Sequence, residues 1–435
     1  MNKKCFISIA IVLVLGSGVT AREITLNETI GLAKSHSYQL KAAKAQSDAF
    51  EEGLRSATAE RLPSLSLAAT ASYKDESPEA QIDLPGSSFN INFSPKENYQ
   101  TDLRLSLPLF TGGKIGGSIK LASATRDYYR ALERATEDEI VFAARVEYLS
   151  LYRADQLVEV ARAGLKRARL IERNVQSLYD AGAADSVDIL DARKAVTDAA
   201  FDVQSAQTAR RQGEIRIAVL LGLDPDEQIS IADKIPAPPV DEPIPLNIAP
   251  TKPELLAANS SISMSQSLVA LNKADYFPSL SVFGGYSWGK PNIDPFNDEF
   301  NDFFVIGANL SWSLNLGGKS TKNVSKARHQ LNAARHQYDR THEQLNRQAR
   351  ITLESLKLTR ARYQTALEIS RIATDNYRLA GEKHRQGVLS ASRLLEIEAA
   401  LTAAEASLAS AQADFYIVQS QYYFATGSKK IEEGI

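Results

Sequence analysis

The sequence predicts an internally duplicated α+β membrane protein in which four short strands per chain contribute to a β-barrel and long antiparallel helices extend from it. Three observations carry this: two matching halves, four ribbons of period-two hydrophobicity, and two long tracts without proline. Sliding the second half over the first at an offset of 205 places Leu105, Leu109, Gly112, Gly113 and Lys114 on Leu310, Leu314, Gly317, Gly318 and Lys319. The same offset sets Gly182 on Gly387 and Gly222 on Gly427 without a gap. LPSLSL at 62–67 matches FPSLSV at 277–282 at an offset of 215, so the halves differ in the length of the loop between their strands.

The chain begins with an address. Lys3 and Lys4 precede an apolar run, followed by Gly16, Ser17, Gly18 and Val19-Thr20-Ala21, the pattern of a signal peptide cut after Ala21. The run is short for a spanning helix, which needs about 20 apolar residues, although an uncleaved anchor fits the same composition. Cys5, the single cysteine, sits inside this leader, so neither a disulfide framework nor a cysteine zinc module is available. With 50 basic and 52 acidic residues the net charge is −2, which gives no basic excess for nucleic acid.

The predicted organisation is a leader at 1–21, a first repeat at 22–224, a proline-rich connector at 225–253, a second repeat at 254–428 and a tail at 429–435. Eight of the 16 prolines lie between Pro225 and Pro253, which makes that stretch extended and non-helical. Each repeat opens with an alanine-rich helix, at 26–59 and 252–274, closed by Pro63 or Pro278. Two strands follow. Leu65, Leu67, Ala69, Ala71 and Tyr73 alternate with small or polar residues, as do Leu103, Leu105, Leu107 and Leu109. The second repeat does the same with Leu280, Val282, Tyr286 and Trp288, then with Ile306, Ala308, Leu310, Trp312 and Leu314. Each ribbon has about the ten residues that a tilted strand needs to cross a bilayer, although a sheet half-buried on a soluble core has the same alternation.

A Gly-Gly pair then leads into a helix, at 114–179 and 319–380, on the order of 100 Å long. Leu121, Tyr128, Ala135, Phe142 and Leu149 recur every seven residues, as do Val324, Leu331, Tyr338 and Leu345, the spacing of a coiled-coil seam. Gly182 and Gly387 fit left-handed C-caps, after which a second helix returns in each half. Four strands make an open sheet, and open edges in lipid leave backbone groups unpaired at several kcal/mol each. Closure therefore requires further copies: two chains reach the eight-strand minimum and three give twelve.

The signal peptide, duplicated halves, ten-residue strand pairs, the LSLPLFTGGK junction, and the tips YDAGAADSVDILDA and HRQGVLSASRLLEIEA together resemble the TolC family of outer-membrane efflux proteins. The resemblance covers the whole mature chain and implies a homotrimer with a twelve-stranded barrel in the outer membrane of a Gram-negative bacterium and a helical barrel through the periplasm. It further implies a passive exit duct of a tripartite efflux or type I secretion system, without cofactor or metal. The implied partners are outer-membrane lipid, a periplasmic membrane-fusion adaptor and an inner-membrane transporter of ABC, RND or MFS type. Loops at 75–98 and 290–301 would face outside. The reading from another class is a non-conducting periplasmic adaptor or coiled-coil scaffold.

In the family, acidic residues ring the aperture formed by the helix turns. The matching second-half positions are Arg393 and Glu396, so the first is basic in this chain. Their spacing also fits a plain surface pair. In the first-half tip Asp185, Asp188 and Asp191 share a helical face and equally suit a helix N-terminus. The expected gate comprises Asp188, Asp191, Arg393 and Glu396, with Asp188 latched to Arg393 across the protomer boundary. Gly182, Ala183, Asp185, Gly387, Val388 and Ser390 are the expected adaptor contacts, although their glycines also suit ordinary turns. Tyr73, Tyr99, Tyr286, Trp288 and Trp312 are expected at the membrane interface, with core packing as the alternative for each.

Other signals lead elsewhere and are weak. GGKST at 317–321 lacks the glycine a phosphate-binding loop needs five positions before Gly318, and its paired copy reads GGKIGG. His329, His336 and His342 have no HExxH or carboxylate cluster beside them. No nucleophile with a base-bearing motif appears, so the chain offers no catalytic residues.

Overall fold

The computed structural model describes residues 22–76, 79–92, 95–239, 246, 248–293 and 299–433. The leader therefore lies outside the described residues, as do parts of both strand loops, the connector and the tail. The elements run β1 (Arg22–Ile24), α1 (Leu26–His36), α2 (Tyr38–Ala59), β2 (Ser64–Tyr73), β3 (Glu79–Leu84), β4 (Ser87–Asn92), β5 (Glu97–Phe110), α3 (Lys114–Asp180) and α4 (Ser186–Leu221). They continue with β6 (Ile229–Ile231), α5 (Pro253–Ala274), β7 (Ser279–Lys290), β8 (Asn301–Ser311), α6 (Lys319–Arg385) and α7 (Ala391–Thr426).

The duplication holds element by element. The helices α3 and α6 each have 67 residues, and α4 and α7 each have 36, both pairs at the 205 offset. The pair α2 and α5 has 22 residues each, at the 215 offset shared by β2 and β7. Compaction does not follow the halves. One compact unit takes residues 42–134 and 253–343, and the other takes the remaining segments of both halves.

In the first unit the strands form one antiparallel sheet in the order β2-β5-β7-β8. Pairing of β5 with β7 joins the two strand hairpins, with Leu103 opposite Tyr286 and Leu105 opposite Gly284. A register shift between Pro108 and Phe110 places a bulge at the helix-side end of β5, where proline has no N–H to offer a ladder. Gly112 then turns the chain into α3 with φ of 64°, and a Cβ there would meet the Ala274 carbonyl oxygen at 2.7 Å. Phe50 stacks on Tyr129 at 3.8 Å between ring centroids, and Glu51 reaches Arg130 at 2.8 Å, which fastens α2 to α3.

Three expectations change. The first helix breaks at Ser37, whose hydroxyl accepts from the Leu40 amide as a fresh cap, so 26–59 forms two helices. The 75–98 loop contains the hairpin β3–β4, turned by Pro85 and Gly86 at φ of 99°. The last strand ends at Ser311, so Trp312 and Leu314 lie beyond it.

The second unit holds the parallel pair β1–β6, which the sequence reading missed. Its core joins Ile24, Leu26, Ile30, Val141, Tyr148, Leu151, Ile217, Leu221 and Ile229. Arg145 is 1% exposed, and its guanidinium donates to Ser420 Oγ and the Ile431 carbonyl, both at 3.0 Å, so the chain end is pinned from inside. Asp233 Oδ2 accepts from the Tyr148 hydroxyl at 2.7 Å and from the Leu26 amide at 2.8 Å. Burial, and then the Asp233 bond, push the Tyr148 phenol far above its ordinary value. Unfolding returns that phenol to a pKa of about 10, so the associated stability is complete below about pH 10 and falls as pH rises beyond it. Thermal melts of Tyr148→Phe should therefore lose stability less steeply above about pH 10 than wild type; equal slopes would exclude this linkage.

Candidate functional site

The sheet has one apolar and one polar face. Register aligns Leu65, Leu105, Gly284 and Ile306 in one row and Leu67, Leu103, Tyr286 and Phe304 in the next. These side chains point to the same face, and they are exposed: Leu67 at 72% and Ile306 at 73%. A soluble sheet would bury this face, so the half-buried alternative fails within the chain. The opposite face carries Ser64, Ser66, Thr70, Gln100, Asp102, Arg104 and Ser287, together with small residues and the apolar Phe283, Phe303 and Val305. Both β2 and β8 are edge strands.

Aromatic residues sit towards both ends of the apolar face. Tyr73 closes β2 and Tyr99 opens β5, while Trp288 lies near the end of β7 and stacks on Phe300 at 4.6 Å. Tyr286 is one row further in, and Trp312 follows β8 at the helix-side end. Phe300 is an addition that sequence reasoning missed, since it lies outside any alternating run. No helix among the described residues is long and apolar enough to cross a membrane.

The two helical tips share one backbone. Gly182 has φ of 71° and Gly387 has φ of 72°; each sits in a Schellman cap, with Gly182 donating to Tyr179 and Ala183 to Leu178 at 2.9 and 2.7 Å, and Gly387 to His384 and Val388 to Lys383 at 2.9 and 3.0 Å. Asp185 and Ser390, equivalent by the repeat, are the N-caps of α4 and α7. At the third position the halves diverge. Asp188 completes a capping box by accepting from the Asp185 amide at 3.3 Å. Its equivalent, Arg393, has no acceptor to offer that amide and instead pairs with Glu396 at 2.5 Å. Within one chain, therefore, Asp188 and Arg393 do not meet. Asp191 lies on the same first-half helix, and the tip residues Gly182, Ala183, Asp185, Gly387, Val388 and Ser390 are all exposed. Apolar Val187, Leu190 and Val388 are exposed with them.

Behind the tips, Ile171, Val175, Ile189 and Ala192 pack with Ala380, Ala391, Leu394 and Ile397, so both hairpins share one core. His384 is buried there and donates from Nδ1 to the Leu389 carbonyl at 2.9 Å, holding the second tip loop. Next to this core Arg167 donates to Glu398 at 3.0 Å, Glu405 at 2.8 Å and Thr402 at 2.7 Å. Burial disfavours its charge, but the bonds it donates to Glu405 and Glu398 outweigh that and hold its pKa above the usual guanidinium value. Neither was legible in the sequence: Arg167 acts through partners more than 200 residues away, and His384 through a backbone carbonyl that leaves no side-chain pattern to read. A groove of about 780 Å³ runs beside this node, lined by Ala154, Gly164, Ala195, Ala199, Ala399 and Ala403 among others.

No group of metal-ligating side chains occurs among the described residues. Gly317 and Gly318 turn the chain into α6, and the Ser320 hydroxyl accepts from Asn315 at 3.3 Å, so the GGKST string is used as a strand-to-helix junction. His329, His336 and His342 lie exposed along α6. Replacing Arg167 with Ala leaves Glu398, 7% exposed, without its cation, a change that costs about 3–5 kcal/mol. Limited trypsin digestion should then cut several-fold faster at the exposed Lys383 and Arg385; an unchanged rate would show that the node does not hold the tip.

A family model described as outer membrane efflux protein matches residues 29–223 and 248–428, one span in each half. Outer membrane protein TolC of Vibrio cholerae serotype O1 is 27% identical over 324 residues, which cover 72% of this chain and 69% of the relative. Outer membrane protein OprJ of Pseudomonas aeruginosa is 22% identical over 390 residues, 86% of this chain and 78% of that protein. Among solved structures, the outer-membrane channel OprN superposes with a TM-score of 0.75 at 20% identity, over 93% of this chain and 90% of its own. VceC of Vibrio cholerae gives 0.74 at 18% identity, over 92% and 96%. A four-stranded sheet and paired long helical hairpins are thus the fold of outer-membrane channels, and the chain belongs to the outer membrane efflux protein family.

Proposed function

We propose that three copies of the chain close into a twelve-stranded barrel in the outer membrane and form the passive exit duct of an efflux or type I secretion system. The observation that carries this is the sheet itself: two edge strands and a largely exposed apolar face in one polypeptide. Joining β8 of one copy to β2 of the next pairs the edges and turns the apolar face to lipid. A second exposed feature supports the same assembly. Ile351, Leu358, Ile372 and Leu379 form a stripe on α6 at multiples of seven residues, a seam that suits a helix of a neighbouring copy.

The tips are read as the gate. Asp188, Asp191, Arg393 and Glu396 would line it, with Asp188 taking Arg393 of the adjacent copy in the closed state. Arg393 would exchange Glu396 for that partner at little cost, because an exposed pair contributes only about 0.2–1 kcal/mol. A periplasmic adaptor would dock on the exposed tip residues and the alanine-lined groove. An inner-membrane transporter of ABC, RND or MFS type would supply the energy, since the duct has no means to do so. Tyr73, Tyr99, Tyr286, Trp288 and Trp312 would sit at the two lipid interfaces.

Planar-bilayer recording tests both parts. The purified protein should insert as discrete conducting units with heat-modifiable trimer mobility, and a soluble, non-conducting monomer would favour the scaffold reading. Asp188→Ala and Arg393→Ala should each raise single-channel conductance, and the double variant should add little beyond either. Unchanged conductance in all three would reject the latch.

A further inference from the structure

On the polar face of the sheet, three strands build a stack that the duct reading leaves unused. Arg104 of β5 lies opposite Gly285 of β7, and its guanidinium settles over the Phe283 ring at 4.5 Å from the centroid. Phe283 in turn lies opposite Gly307 of β8, where a Cβ would meet the ring at 2.7 Å. Gly307 thus makes the room for the ring, which lies against its backbone, while Arg104 leans over that ring from its place opposite Gly285. Cation–π contact fixes the charge through its face and leaves its N–H groups at the rim free. Among the described residues none accepts from the Arg104 side chain, and Arg104 is exposed.

Asp102, two residues away on the same face, does not neutralise it. That carboxylate is half-buried and accepts from Gln100 Nε2 at 3.2 Å, and no ion pair joins it to Arg104. Their Cα atoms are about 7 Å apart along the strand, and each side chain is held by its own neighbour, Gln100 for Asp102 and the Phe283 ring for Arg104. We propose that Arg104 is a selectivity residue of the duct: in the closed barrel, three guanidinium groups form a collar that attracts anionic permeants, those bearing carboxylate or phosphate. This rests on the barrel described above, in which the polar face lines the lumen. A collar of fixed surface charge acts over about 10 Å at 0.1 M salt and about 3 Å at 1 M.

Reversal potentials under a potassium chloride gradient test the collar. Arg104→Gln should lower the chloride-to-potassium permeability ratio about twofold or more at 0.1 M salt, and the difference should vanish at 1 M. Arg104→Lys, which keeps the charge, should restore the wild-type ratio, and Asp102→Asn should raise it. Conducting wild-type and Arg104→Gln channels with equal ratios would overturn the proposal, as would Arg104→Lys behaving like Arg104→Gln, since packing on Phe283 would then be its only role. A wild-type protein that forms no channel would instead overturn the barrel itself.

Discussion

A peptide group in hydrocarbon has no water to turn to, so each N–H and C=O of a membrane strand must find another strand. The antiparallel sheet of this chain satisfies that demand for β5 and β7 and leaves it open along β2 and β8. Everything else in the strand unit agrees with completion by further copies. The apolar rows are exposed, the aromatic residues gather at the ends of that face, and the polar face carries the charged pair Asp102 and Arg104. The constraint also explains why the two halves are fused through the β5–β7 ladder rather than forming separate hairpins: every internal pairing removes a pair of edges.

Duplication gives the two halves one backbone and allows their chemistry to part. The helices of both hairpins have equal lengths, and Gly182 and Gly387 adopt the same left-handed turn. Yet Asp188 completes a cap where its equivalent, Arg393, forms an ion pair, and Tyr179 is exposed where its equivalent, His384, is buried. A ring built from such chains would alternate two kinds of tip, one with an aspartate and one with an arginine at this position, without any change in fold. The shared core behind the tips and the Arg167 node tie the two hairpins to each other.

Much of this was legible in the sequence because it is periodic. Alternation of Leu65 to Tyr73, the absence of proline through 109–224, and the offset matches from Leu105 to Gly427 are repeated signals, and they predicted strands, helices and duplication. What escaped is short or non-local. The parallel pair β1–β6 has three residues per strand, too few for a period, and β3–β4 lies in a polar loop. The break at Ser37 depends on a single side-chain cap. Arg167 and the Arg104–Phe283–Gly307 stack depend on residues brought together by the fold, and a lone arginine in a sequence does not announce its partner.

The central claim is that identical chains share one cylinder through the β2 and β8 edges. Cys5 is the single cysteine of the chain and falls in the predicted leader, so two introduced cysteines have few competitors. A cysteine at Ala68 in β2 combined with cysteines stepped along positions 303–309 of β8, oxidised in outer membranes, should yield a ladder of one, two and three linked chains that stops at three. A ladder that stops at two, or a disulfide formed only within one chain, would contradict the account.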